Sequence, residues 1–182
     1  MQQPFAYTGA ISSNMSAVSS ALTDLNSLSQ TLGGETGTAL ITSSGGLVNA
    51  SSGKLDSSGN EVFTLKAASS FPSGTFTING NASQTVVVNV PAAVGNFAFK
   101  GSLVLTGGLA PDQVLFNFDQ GNYGNFSGGT TGTFLDPNGI FRSIAPCSTG
   151  VSLAVVAKTR RSSPAPIYHL SHPLAAHGCP PA

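Results

Sequence analysis

Between Gly34 and Phe141 the apolar residues fall into short β-type runs, each cut off by Gly, Ser, Asn or Pro: ALIT near 39, EVFTL near 61, TFTI near 75, TVVVNV from 85, FAFK near 97, SLVLT near 102 and QVLFNF from 113. Runs this short recur about every ten residues. They point to a sandwich, a barrel or a solenoid of stacked strands. Two runs are almost continuously apolar, Thr85 to Val90 and Val114 to Phe118, so both faces of those strands are expected to be covered.

Upstream, the periodicity is different. Ile11, Met15, Val18, Leu22, Leu25, Leu28 and Leu32 recur at steps of three and four, which places them on one face of a helix over about 11–32. Gly33 and Gly34 follow and could supply a left-handed C-terminal cap. Ser, Asn, Thr and Gln fill the opposite face, so the helix needs an apolar partner and should cover one side of the strands.

A chain of 182 residues can bury one core and is too short for two ordinary domains. Only 8% of its residues are charged and the formal net charge is zero, so no global field draws nucleic acid or an anionic membrane. The zero is a cancellation. Residues 1–141 hold seven acids against three lysines, whereas 142–182 hold Arg142, Lys158, Arg160 and Arg161 and no acid. Both cysteines, all three histidines and six of the eleven prolines also lie beyond Arg142. The expected organisation is a domain over 1–141 and an irregular tail over 142–182.

No stretch approaches the roughly 18 apolar residues that span a bilayer. The start, MQQPFAYTGA, lacks the basic and apolar regions of a secretory leader, so a secreted reading requires a leader outside this sequence. Polarity carried by Ser, Thr, Asn and Gly nonetheless suits an extracellular surface. Sequons at Asn14, Asn49, Asn81 and Asn125 would be glycosylation acceptors in a eukaryotic secretory pathway.

Four landmarks occur in order: the Leu-bearing helix, the strand Thr85 to Val90, the segment Asp112 to Phe118, and Gly132 to Gly139. Together, over about residues 5–141, they resemble the choice-of-anchor A domain. The most specific pieces are the strand ending in Asn117-Phe118 and the turn Leu135-Asp136-Pro137-Asn138-Gly139, similar to that family's LxPNG step. The resemblance implies a mainly β fold, a right-handed β-solenoid (β-helix) with one amphipathic helix packed along it. It also implies a secreted or surface-displayed adhesive role. Beyond the turn the chain departs from that pattern. A shifted reading frame across Ala145 to Val156 can encode Thr-Val-Leu-Asn-Gly-Arg-Leu-Phe-Gly-Gly-Gly, which supplies the missing element, so the tail is expected to be a frameshifted or mis-spliced product.

The chemistry-bearing residues read as structural. Asn89 and Asn117 sit inside apolar strands, where an unpaired amide would cost about 1–3 kcal/mol, so each should satisfy backbone groups of a turn in the next coil. Asp136-Pro137-Asn138-Gly139 has the acceptor, fixed φ and flexible residue of a tight turn. No histidine precedes His169, which excludes a His-based triad within the domain. Asp112, Asp119 and Asp136 could form a carboxylate pair only if strand ends bring them together, and Asn117, Asp119 and Asp136 could hold calcium only on the same condition. His169, His172, His177 and Cys179 match no zinc spacing, Cys147 and Cys179 form no disulfide framework, and Gly33-Gly34 and Gly128-Gly129 lack the lysine of a phosphate loop.

The reading is a non-enzymatic, monomeric, extracellular adhesion or structural module, without cofactor, binding an external ligand, glycan or surface through a flat strand face. Its rivals are an ice-binding protein, for which Thr75, Thr77, Thr131 and Thr133 are available, and a carbohydrate-active solenoid enzyme.

Overall fold

The computed structural model describes residues 15–40, 46–66, 74–95, 97–119, 123–126, 129, 131–143, 155–158 and 167–170. Helix α1 covers Met15–Gly33, and Ile11 lies outside the described residues. Leu22, Leu25 and Leu32 are half-buried and Ser29 is fully buried between them, whereas Leu28 is 47% exposed. The expected stripe is therefore corrected by one step: the docked edge runs 22, 25, 29, 32, with a hydroxyl in its centre. A polar residue can lie there because the sheet beneath offers amides. On the exposed face, the Thr23 and Thr31 hydroxyls donate to the carbonyls of Ser19 and Ser27, at 3.0 and 2.9 Å.

Every run expected as a strand is one, joined by several that composition did not mark. The described strands are β1 (Thr38–Leu40), β2 (Leu47–Asn49), β3 (Lys54–Leu55), β4 (Glu61–Leu65), β5 (Thr75–Asn79), β6 (Val86–Asn89) and β7 (Phe97–Phe99). They continue with β8 (Ser102–Thr106), β9 (Val114–Asn117), β10 (Tyr123–Phe126), β11 (Thr133–Leu135), β12 (Ile140–Ser143), β13 (Val155–Lys158) and β14 (Ile167–Leu170). The largest sheet runs β1-β4-β6-β9-β11, all parallel, with β3 antiparallel on β4. A second parallel sheet runs β2-β5-β8 and a third β7-β10-β12. Among the described residues no sheet closes on itself, so the protein is strand-rich with one helix and open sheets.

Parallel register puts like on like. Phe63, Val88, Phe116 and Phe134 form one row across β4, β6, β9 and β11. Within it the rings of Phe116 and Phe134 stack with centroids 5.1 Å apart. Leu65, Val90 and Phe118 continue this inner face toward Phe76, Ile78 and Leu103 of the second sheet, and all are buried in one core. The other face of the large sheet is buried as well, at Val62 and Val87, and α1 packs on it at β6 and β9. That arrangement explains the unbroken Val86-Val87-Val88 sequence, because neither side of the strand meets water.

Two expectations are corrected. Neither Gly33 nor Gly34 takes a positive φ. The helix ends on backbone bonds from Gly34 N to Gln30 O and Glu35 N to Leu32 O, at 3.0 and 3.1 Å. Gly33 instead makes room, since a Cβ there would collide with the Asp119 side chain. The tail, expected to be irregular, contains an antiparallel pair, β13 with β14, in register Val155↔Leu170 to Lys158↔Ile167. Val155, Val156, Ile167 and Tyr168 have strong β-propensity, which the reading from Pro and Arg content undervalued.

Candidate binding face and the buried amide ladder

Side chains alternate across a strand, so with Val88 and Phe116 facing the core, Asn89 and Asn117 face α1. They are in register and joined, Asn117 Nδ2 donating to Asn89 Oδ1 at 2.9 Å. Asn117 Nδ2 also donates to the Ser29 carbonyl at 2.9 Å, and its Oδ1 accepts from the Ser29 hydroxyl at 2.6 Å. Asn89 Nδ2 donates to the Leu32 carbonyl at 2.6 Å. These amides thus bind carbonyls in the last turns of the helix, adding a second donor to a Leu32 carbonyl that already accepts from Glu35 N, and not a turn of a neighbouring coil as the sequence suggested. An amide oxygen committed in this way is unsuited to calcium, and among the described residues no group of three or more His, Cys, Asp or Glu could hold a metal ion.

The three aspartates occupy distinct settings. Asp112 is exposed in a short 3-10 turn, and Asp119 lies against Gly33. Asp136 is fully buried, and neither of its oxygens has a hydrogen bond of good geometry, so it is not hydrogen-bonded to Asp119. Burial pushes its pKa up to about 7, against the pull of the Asn138 and Gly139 backbone N–H groups. Pro137 and Gly139 are buried in the same turn. Asn138 is exposed and donates from Nδ2 to Asn26 Oδ1 on α1 at 2.6 Å, so the turn is tied to the helix.

A second carboxylate, on Glu35, is held above its usual range by burial and then by the neighbouring Asp56. Asp56 is held below its own by the Asn60 side chain and amide, both donating to it, at 2.7 and 2.8 Å.

The surface of the β2-β5-β8 sheet is free of the helix. In it Leu47, Thr77 and Val104 share a row, with Leu47 65% and Val104 38% exposed. Beside them runs Asn49, Asn79 and Thr106. The Thr106 hydroxyl donates to Asn79 Oδ1 at 3.0 Å, and Asn79 Nδ2 donates to Asn49 Oδ1 at 3.2 Å. Thr75 and Ser102 pair and are both exposed. Next to this row opens a cleft of about 340 Å³ lined by Asn49, Ser51, Asn79, Asn81 and Gln84, together with Gly80 and Gly107.

Of the threonines considered for a flat face, Thr75 and Thr77 lie on this sheet, while Thr133 belongs to β11 of the large one. They do not form one rank. Sequon residues Asn49 and Asn81 are exposed at the cleft. Asn14, Cys147, His172, His177, Cys179 and Gly128 lie outside the described residues, and for Asn125 and His169 only the backbone is described.

Sequence reasoning missed Ser29, Asn79, Gln84 and Gln113, and read Asn49 only as a sequon. Gln113 reaches back with Nε2 to the carbonyls of Ala82 and Gln84, both at 2.8 Å, tying the β8–β9 connection to the β5–β6 connection. A signal for two of them was present: Leu-Val-Asn49 and Thr-Ile-Asn79 end strands as Val-Val-Asn89 and Leu-Phe-Asn117 do.

Among the described residues no helix is long and apolar enough to cross a membrane. No curated protein and no solved structure matches the chain. A family profile matches residues 2–143, under the description "Putative Ice-binding-like adhesive domain". With most of its length inside that match, the chain belongs to this family of ice-binding-like adhesive domains.

Proposed function

We propose that the protein is a non-enzymatic adhesion module acting outside the cell or at its surface, with the outward face of β2-β5-β8 as its contact surface. The observation that carries this reading is the Leu47-Thr77-Val104 row, apolar groups left exposed on a regular sheet beside an ordered polar row. Membership of an adhesive-domain family supports it. In the same reading the parallel sheets are the sides of a right-handed solenoid, the kinship is with the choice-of-anchor A domain, and residues 142–182 are an aberrant appendage to a monomeric domain.

Beads coated with the protein should attach to polysaccharide-coated or abiotic surfaces and lose attachment when Leu47 and Val104 are both changed to Glu. Attachment unaffected by that pair would remove the face from the reading. The ice-binding alternative is favoured by the family description and by Thr75 and Thr77 lying two residues apart on β5. Ice recrystallisation assays separate the two, because an adhesion module leaves crystal growth unchanged.

A further inference from the structure

We propose that the cleft beside the contact face, lined by Asn49, Ser51, Asn79, Asn81 and Gln84, is a saccharide subsite that takes a neutral sugar unit. The inference rests on the adhesion reading and names the ligand class that would give it specificity. Its volume of about 340 Å³ falls at the lower end of small-ligand clefts. Amides, a hydroxyl and glycines make up the whole lining, so the groups presented are neutral donors and acceptors. That chemistry complements hydroxyl and acetamido groups, and it offers no counter-charge to a phosphate, a sulfate or a metal ion.

The polar row is also directional. Thr106 donates to Asn79 and Asn79 donates to Asn49, so the chain of bonds leaves the Asn49 Nδ2 donors at its end. Hydrogen bonds in such a chain polarise one another and strengthen the terminal donor. The cleft is also shaped in advance. Gln84 is anchored on both sides, its Oε1 accepting from Asn81 N at 3.0 Å and its Nε2 donating to Glu61 Oε1 at 3.2 Å. Gly107 has φ +76, and a Cβ on it would strike the Gly80 carbonyl, so at that wall only glycine permits this packing. A rigid polar wall spares a ligand the ordering cost that weakens binding to mobile side chains.

Because Asn49 and Asn81 are both sequon residues, the test uses protein made in a host that does not glycosylate. Side-chain amide resonances would be followed by NMR during titration with neutral oligosaccharides of glucose, mannose and N-acetylglucosamine, alongside bead attachment to the matching polysaccharides. Saturable shifts at Asn49, Asn79 and Gln84 in the parent, with affinity read at Asn79 and Gln84 weakened at least tenfold in Asn49→Asp, support the subsite. That variant keeps the acceptor for Asn79 but removes the terminal donors, and an unchanged circular dichroism spectrum controls for folding. Attachment that persists without amide shifts, or shifts indifferent to Asn49→Asp, overturns the subsite and leaves the adhesion reading standing. Loss of both attachment and shifts in the unmodified protein overturns both.

Discussion

Ser29 and Asn117, 88 residues apart in the chain, exchange hydrogen bonds in both directions, hydroxyl to amide oxygen at 2.6 Å and amide nitrogen to backbone carbonyl at 2.9 Å. The helix is thereby fixed in position along the sheet as well as pressed onto it. Apolar contacts alone tolerate sliding by a turn, whereas a buried pair of donors and acceptors is satisfied at one position only.

Asn117→Ala should therefore destabilise the fold strongly. It strands the Ser29 hydroxyl and Asn89 Oδ1, and at roughly 1–3 kcal/mol for each buried orphan the expected loss is about 3 kcal/mol. Ser29→Ala removes one partner from an amide that keeps its other bonds and should cost about 1 kcal/mol. Urea denaturation of both variants and of the double variant measures the coupling. A loss below about 1 kcal/mol for Asn117→Ala would show that the ladder is not what holds the helix.

Asp136 makes stability depend on pH. Its carboxyl ordinarily titrates near 3.8 and is raised to about 7 by burial. The folded state therefore holds a proton that the unfolded chain releases between those values, and stability falls as pH climbs through that window. Asp136→Asn, which has the same shape and no proton to lose, should flatten the slope and be more stable than the parent at neutral pH. Thermal unfolding at intervals from pH 4 to pH 8 provides the check, and a parent curve that rises across the window would contradict the assignment.

Gly33 offers a test in which helix propensity and packing pull in opposite directions. Replacing glycine by alanine within a helix stabilises it by up to about 1 kcal/mol on propensity alone. Here the added Cβ collides with Asp119, and overpacking of this kind costs about 1–3 kcal/mol. Gly33→Ala is expected to destabilise, and Asp119→Gly in the same chain should recover part of the loss. A net gain in melting temperature from Gly33→Ala alone would mean that the helix end shifts freely.

Leu47→Thr combined with Val104→Thr separates adhesion from ice recognition. Both positions are exposed and β-branched threonine suits a strand, so stability should change by less than about 0.5 kcal/mol. Attachment through an apolar row should fall several-fold. An ice-binding surface would instead gain a hydroxyl rank flanking Thr77, and inhibition of recrystallisation would appear or increase.

Local patterning made the backbone plan legible. The runs at Val62, Phe76, Val87, Leu103 and Phe116 all lie in strands, because an apolar run closed by Gly or Asn has few other uses. The double burial of β6 and its partner helix could also be read from Val86-Val87-Val88. Less could be read of the site. Ser29 belongs to the polar complement of the helix in any periodic count, and only the placement of Asn117 opposite it reveals that it is buried. Gly33 has the sequence context of a cap yet serves the close approach of Asp119, a fact carried by tertiary distance. Asn49 and Asn79 look like turn residues one at a time and become a row only when β2 and β5 pair.

Phe63, Val88, Phe116 and Phe134 stay in line although the chain takes 25, 28 and 18 residues to return from each to the next. Alignment is thus set where the strands meet, and the intervening corners are at liberty to lengthen or shrink. Such an architecture lets insertions and deletions accumulate at its margins, altering what a surface presents to the outside while the inner rows keep their places.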